Sequence, residues 1–383
     1  MKNGFRIYDS DTHVLPAAEV LERYVDPAFR PRLAELAAYR VPIRVSNEHP
    51  EDGLHNYRVA PQYYRRVLGE AEPRAAHSGR ETQWRGRSLP RPGVQDADAA
   101  NRVRDMDDEG VDVHFLIPSS WVSLVGLPDP SLETGMIRAY HRHMADFCGQ
   151  FPDRLAGLIM VSTRDVPAAV AEIRAWGKAC WAVAVKPSFH MDTPADHPDL
   201  EPIWQAAQEF DLPIVHHSST WNPPYYPGYR DVWENIFLGR LASHPWGAMR
   251  FIASFIGGGI LDRYPRLRVG ILECGFGWLP FWGRRMDEQY RYVGSTAELA
   301  MLPSEYLTSG RFFCSIEHQE GADMFAEVTR FLGDGVLMYA SDYPHSECQF
   351  PQSIDNILAW SSLTPQTRQK LLWHNANRFF KQT

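Results

Sequence analysis

Short apolar runs alternate with segments whose apolar positions recur every three or four residues, and this alternation organises the chain from residue 96 onward. The opening stretch, Arg6 to His13, reads as a strand that ends in polar residues. DADAANRVRDMDDEG has helical spacing and stops at Gly110, the residue type that most readily takes the left-handed conformation closing a helix. VDVHFLIP follows as a buried strand. The pattern then predicts a helix from Leu132 to Phe151, a strand LAGLIMVS, a helix PAAVAEIRAWGKA, a strand WAVAVKPS and a helix PDLEPIWQAAQEF. Next come a strand LPIVHHSS, a long helix from His244 to Tyr264 and a strand RVGILEC. A strand FFCSIE, a helix ADMFAEVTRFLG, a strand VLMYASDYPH and helices from Ser353 and Thr364 close the chain.

About eight strands, each followed by a helix or a helix-containing connection, are the signature of a (β/α)8 TIM barrel. A doubly wound sheet also alternates; the strand count and the gathering of reactive residues at C-terminal strand ends favour the barrel. Residues 28–95 break the pattern, being rich in Pro, Arg, Glu and His without periodicity. We read them as an insertion after the first strand, a lid or an oligomer arm, within a single domain spanning residues 1–383.

Composition narrows the class. The chain has 383 residues, a 44% hydrophobic fraction and a net charge of -8. No stretch approaches the ~20 apolar residues that cross a bilayer, and no basic surface for nucleic acid is implied. The expected partner is a small molecule, and a homo-oligomer (dimer or tetramer) is expected. The start, MKNGFRIYDSDTH, lacks the pattern of a secretory signal, so the expected location is cytoplasmic. Cys148, Cys180, Cys274, Cys314 and Cys348 are widely spread with no CxxC pair and read as free thiols. The aromatic surplus fits either a heavy core or a pocket for flat ligands.

Candidate chemistry collects at strand ends. Asp11 and His13 sit two residues apart, so they share a strand face and can share one divalent metal; a helix cap plus a buried histidine is the structural alternative. His216 and His217 end the fifth strand, and only one of two adjacent residues faces the barrel axis. We take His217, with His216 the alternative. Asp342 follows the last strand, which neighbours the first in a closed barrel; a turn cap is its structural alternative. Asp, His, His and Asp form a hard nitrogen and oxygen set suited to zinc or manganese, with positions left for water or substrate. His244 in SHPWGAM opens the predicted long helix, with Arg250 less than two turns on; the two can contact a substrate or simply pack at a helix start. His345 lies three residues after Asp342, either supporting it or facing solvent. Lys186 ends the fourth strand, as a structural or substrate-contacting group. Trp121, Trp221, Trp246 and Trp278 lie near strand-end loops and can stack on a planar substrate, although core packing is the default for each.

DSDTHVLP, LPIVHHSS, the run from HPWGAMRFIASFIGGG through LECGFGWLPFWGRRMDE, and the closing ASDYPHSE with WHNANRFF together resemble the amidohydrolase-2 family. That family includes aminocarboxymuconate semialdehyde decarboxylase and the resorcylate-type decarboxylases. The resemblance spans the chain apart from the insertion. It implies a barrel with one divalent metal, zinc first and manganese second, held by Asp11, His13, His217 and Asp342. The relatives place histidine or an acid where Asp11 stands. In the decarboxylases a sixth-strand position carries a catalytic histidine, and here that position is Glu273, able to act as acid or base if burial raises its pKa.

Two activities follow. The first is a metal-dependent decarboxylase (carboxy-lyase) of a small aromatic or unsaturated carboxylic acid, with Glu273, His244 and Asp342 catalytic and Arg250, Trp246, Trp278 and Lys186 contacting substrate. The second is a metal-dependent hydrolase of a C-C or C-N bond, with metal-activated water and Glu273 as general base. A barrel that only binds is disfavoured, because four polar residues are costly to bury at a dry rim unless they hold something.

Overall fold

The computed structural model describes residues 1–43, 52–57, 88–119, 127–189, 193–217 and 236–380. Ten strands are present among them: β1 (Tyr8–Val14), β2 (Arg40–Pro42), β3 (His55–Tyr57), β4 (Val113–Pro118), β5 (Leu155–Ser162), β6 (Ala182–Ser188), β7 (Ile214–His217), β8 (Val269–Leu272), β9 (Phe312–Ser315) and β10 (Leu337–Met338). Eight form one parallel sheet in the order β1-β4-β5-β6-β7-β8-β9-β10. The ring closes just past β10: Ser10 N–H donates to the Tyr339 carbonyl (3.0 Å), Asp342 N–H to that of Asp11 (3.1 Å) and His13 N–H to that of Tyr343 (2.7 Å). The result is a nearly closed barrel with helices between its strands, as the sequence pattern implies.

The strands are apolar almost throughout because one face meets the barrel interior and the other the helices, so neither is solvated. At the end opposite the polar rim, Phe379 and Phe380 of the helix Asn375–Phe380 plug the barrel. Phe380 stacks on Tyr8 and meets Phe115, while Phe379 packs on Phe313. Gly270 makes room for the plug, since a Cβ there would lie 2.4 Å from the Phe379 ring.

Register fixes which side chains look inward. His13 pairs with Ile117 and Val185 with Ile214, and a bulge in β1 between Asp9 and Thr12 resets the alternation. Paired residues in a parallel ladder share a face, so Ile214 and His216 lie on the face of Val185, while His217 and Lys186 lie on the other.

Three elements depart from the sequence pattern. The expected helix from His244 to Tyr264 begins earlier, as Ile236–Gly257, and is followed by the separate short helix Ile260–Arg263. His244 therefore lies within a helix rather than opening it. Pro245 misled the reading, because proline is most at home in a first turn, yet here it is accommodated inside. The helix Leu279–Val293, between β8 and β9, was not distinguished by the sequence pattern. Finally, VLMYASDYPH is regular only at Leu337–Met338.

The described parts of residues 28–95 are tied to the barrel. β2 and β3 pair antiparallel, Arg40 bonds Glu19, and the Tyr57 hydroxyl donates to Glu22. On the far side, Leu15 N–H donates to the Gln95 carbonyl.

Candidate metal centre

The polar side chains at the rim arrive from four strands. Asp11 and His13 come from β1, His217 ends β7, Glu273 follows β8 and Asp342 follows β10. Glu273 (φ 48°) and Asp342 (φ 62°) both adopt the left-handed conformation, which costs a non-glycine residue about 1 kcal/mol or more. In each case the chain turns sharply where the strand stops and the carboxylate is brought into the barrel mouth.

The donor atoms converge. His13 Nε2 lies 3.0 Å from Asp342 Oδ1, 3.4 Å from Asp11 Oδ1 and 3.4 Å from Glu273 Oε2. His217 Nε2 lies 3.0 Å from Glu273 Oε2 and 3.7 Å from Asp11 Oδ1. Yet His13 Nε2 and all four carboxylate oxygens of Asp11 and Asp342 are buried without a hydrogen-bond partner of proper alignment. Atoms so close that do not aim at one another aim at a shared point. Around an ion with ~2.1 Å bonds, ligand atoms stand about 3.0 Å apart in octahedral and about 3.4 Å in tetrahedral geometry. These spacings fit a small divalent cation beside His13, and the donors that mutually approach within 4.8 Å form two groups sharing that residue: Asp11, His13 and His217, and His13, Glu273, Asp342 and His345.

Charge points the same way. Burial alone would favour neutral imidazoles, but Asp11, Asp342 and Glu273 hold His13 well above its ordinary range, and Asp11 and Glu273 raise His217 to about 9. Those two protons supply the positive charge that a dication would supply. Burial would raise Glu273, but His13 and His217 bring it well below the usual carboxylate range. Without a metal, the two imidazolium rings thus outweigh burial and hold Glu273 as a carboxylate. Asp342 is raised, first by burial and then by the charge of Glu273.

The two adjacent histidines divide as the pleat requires. His217 enters the cluster, whereas the buried His216 ring stacks on Phe251 of the helix Ile236–Gly257, with centroids 4.6 Å apart and planes 13° from parallel. His345 supports the rim: its Nδ1 is 2.8 Å from Asp342 Oδ1, its Nε2 pairs with Ser119 Oγ at 3.2 Å, and its ring stacks on His13 at 3.8 Å.

The amidohydrolase family's sequence model matches residues 8–382. This chain belongs to the amidohydrolase-2 family. It is an enzyme of that family, a metal-dependent carboxy-lyase or hydrolase. The amidohydrolase is 21% identical over 295 residues to the gamma-resorcylate decarboxylase of Polaromonas sp. strain JS666, covering 73% of this chain and 86% of that one. It resembles in fold the 5-carboxyvanillate decarboxylase of Novosphingobium aromaticivorans solved with manganese and 4-hydroxy-3-methoxy-5-nitrobenzoic acid, with TM-score 0.69, 20% identity, and coverage of 100% and 97% of the two chains. A similar likeness links it to an amidohydrolase of Mycobacterium avium subsp. paratuberculosis, with TM-score 0.71, 16% identity, and 98% and 99% coverage.

The remaining sequence-derived residues of the amidohydrolase are spread around this cluster. His244 Nδ1 lies 3.9 Å from Glu273 Oε1, and Arg250 is half-buried on the same helix. Trp278 donates from its indole to the carbonyls of Cys274 and Gly275, bracing the turn that carries Glu273. Trp246 is 48% exposed on the outer side of its helix, away from the role of stacking on a substrate within the barrel. Trp121 and Trp221 lie outside the described residues. Lys186 is buried in β6. Glu317 was missed by the sequence reading: it stands just past the end of β9, accepts the Gly275 N–H at 2.9 Å, and lines with Asp11, Glu273 and Asp342 a cavity of ≈ 20 Å³, room for about one water. Burial, then the charge of Glu273, raises it to about 8. The signal was available, since Glu317 ends FFCSIE as Asp342 ends its own strand. Among the described residues no helix is long and apolar enough to cross a membrane.

Proposed function

We propose that this amidohydrolase decarboxylates a small aromatic or unsaturated carboxylic acid. Asp11, His13, His217 and Asp342 hold one divalent metal, manganese or zinc, with manganese favoured by the metal named for the solved relatives. A bound metal would supply charge neutralisation for the substrate carboxylate. His345 keeps Asp342 and the His13 ring in place through the contacts above. His244 delivers a proton to the carbon bearing the carboxylate, and Glu273 stabilises the imidazolium that must form first. The C-C bond then breaks, its electron pair stays with the protonated carbon framework, carbon dioxide leaves and His244 is reprotonated from solvent. Arg250, Trp278 and Lys186 position the substrate.

The convergence of buried, unaligned donor atoms carries the metal-dependent part of this reading; the decarboxylase relatives carry the choice of chemistry. One observation favours a second reading. Glu273 is held as a carboxylate, so it suits the general base of a hydrolase acting on a C-C or C-N bond. Incubating the manganese-loaded enzyme with a panel of aromatic acids and of ring-cleavage diketones and amides decides between them. Carbon dioxide release without solvent oxygen in the product supports decarboxylation; incorporation of oxygen-18 from water as the main outcome overturns it. We further propose that residues 28–95 act as a lid or an oligomer arm of a dimer or tetramer, which deletion with unchanged activity and unchanged size would exclude.

A further inference from the structure

We infer that Asp9 and Arg102 are positioning residues of the metal centre: linked through His114 beneath the rim, they fix the main chain that carries Asp11, His13 and Asp342, independently of a bound cation. The inference rests on the reading of those three residues as metal ligands, and its test separates the two.

The need for such a frame begins in β1. Its ladder with β4 is interrupted between Asp9 and Thr12, so pairing with β4 gives the Asp11 amide no partner. A buried amide left unpaired is costly. Asp9 supplies an acceptor from its own side chain. Its Oδ1 takes the Asp11 N–H at 3.3 Å and, across the closing seam of the barrel, the Ser341 N–H at 3.0 Å. One carboxylate oxygen thus ties the main chain at Asp11 to the residue preceding Asp342.

Arg102 works from the opposite side. It reaches inward from the first turn of the helix Ala99–Glu109, and its Nη1 donates to the His13 carbonyl at 2.6 Å and the Val94 carbonyl at 3.1 Å. Its Nε donates to His114 Nδ1 at 3.2 Å. A guanidinium can only donate, so that ring nitrogen accepts; in the neutral imidazole that burial favours, the proton sits on Nε2. Nε2 faces Asp9 Oδ2 at 4.0 Å, which completes the chain from Asp9 to Arg102.

Stability alone does not call for these groups. Asp9 and Arg102 are 0% exposed, and apolar side chains of similar volume commonly fill a core as well as buried charges do. What sets them apart is where their hydrogen bonds end: at the Asp11 amide, at the amide beside Asp342 and at the His13 carbonyl. Asp11 and Asp342 are like charges that repel, so a backbone held from below keeps their carboxylates converging.

Manganese titration of the metal-free protein at pH 7 tests this with two substitutions. Asp9→Asn keeps an oxygen for the two N–H groups, whereas Asp9→Leu keeps the approximate shape without one. The leucine variant should bind manganese about tenfold or more weaker, and the asparagine variant within about threefold of the unmodified protein. Phe379→Ala, at the other end of the barrel, loses stability and should keep its affinity. Unchanged binding by Asp9→Leu overturns the inference, as do equal losses in both Asp9 variants or a loss in Phe379→Ala as large as that in Asp9→Leu. Should Asp9→Leu fail to fold, hydrogen exchange in the unmodified, metal-free protein decides. Segments 8–13 and 340–343 should exchange as slowly as β5, and rapid exchange that slows only when manganese is added refutes the frame. An unmodified protein that takes up neither manganese nor zinc overturns the metal-centre reading, an outcome distinct from equal binding by every variant.

Discussion

Replacing Lys186 by methionine should stabilise the protein, and the effect should depend on pH in a defined direction. The side chain is 3% exposed, and burial alone lowers its pKa from 10.5 to about 8. A difference of that size between the folded and unfolded chain is worth about 3 kcal/mol. The sign follows from which state holds more protons. Below pH 8 both states carry the ammonium and the whole penalty falls on the folded protein. Between pH 8 and 10.5 the unfolded chain binds more protons, so stability rises with pH as the penalty is relieved. Methionine keeps the unbranched shape and removes the charge, so the variant lacks the penalty at every pH. For 383 residues the unfolding entropy is about 0.8 kcal/mol per kelvin, which turns 3 kcal/mol into a rise of about 4 °C in thermal midpoint at pH 7. Thermal melts of the metal-free proteins by circular dichroism between pH 7 and 10.5 would measure it. The two midpoints should approach one another as pH rises. A variant that melts lower at pH 7, by an amount independent of pH, would refute the reasoning and mean that a partner already compensates the ammonium.

Other tests address separate parts of the molecule. His217→Phe should abolish tight metal binding whereas His216→Phe should retain it, as read by metal analysis after dialysis, because only His217 enters the donor cluster. Asp342→Ala should likewise lower bound manganese from about one per chain toward zero and loosen His345, which loses its 2.8 Å partner. Glu133, 1% exposed and raised by burial to about 7, binds more protons folded than unfolded between pH 4.5 and 7, so it subtracts up to about 3 kcal/mol as pH climbs through that window. Glu133→Gln should flatten that part of the stability profile in urea titrations, and an unchanged slope would show that Arg164, 3.6 Å away, already offsets the charge. Phe379→Ala should cost about 3 to 5 kcal/mol by emptying the plug against Gly270 and Phe313, lowering the denaturation midpoint without altering metal content in the folded protein.

What was legible in the sequence follows from what is local in its physics. A strand of a closed parallel sheet is apolar on both faces, and a polar residue at its C-terminal end stands out against that background. Asp11, His13, Asp342 and the pair His216/His217 could therefore be read directly, and the structure brings His13 to Asp342 and, with His217, to Asp11. Glu317 had the same signature and was passed over because β9 is only four residues long and its end is blurred by the following turn. The choice between His216 and His217 was open because alternation says only that the two differ. The register with β6 and the seat of His216 on Phe251 are long-range facts.

The harder failure is instructive about electrostatics. Sequence context placed Glu273 beside an apolar strand and suggested burial, hence a raised pKa; burial is indeed complete enough to push that way. The sign is reversed by His13 and His217, which are hundreds or tens of residues away in the chain and 3.4 and 3.0 Å away in space. Desolvation can be guessed from one strand, but the partner term depends on which strand ends the barrel closure sets side by side. For a barrel, position along the strand tells which residues reach the rim, and only ring closure tells what charge each will carry there. The roles proposed for Glu273, as carboxylate, and for His244, as proton carrier, draw on that second kind of information. A His244→Asn variant that retained full metal content but lost proton delivery, seen as a kcat loss with little change in KM, is the outcome this division of roles requires.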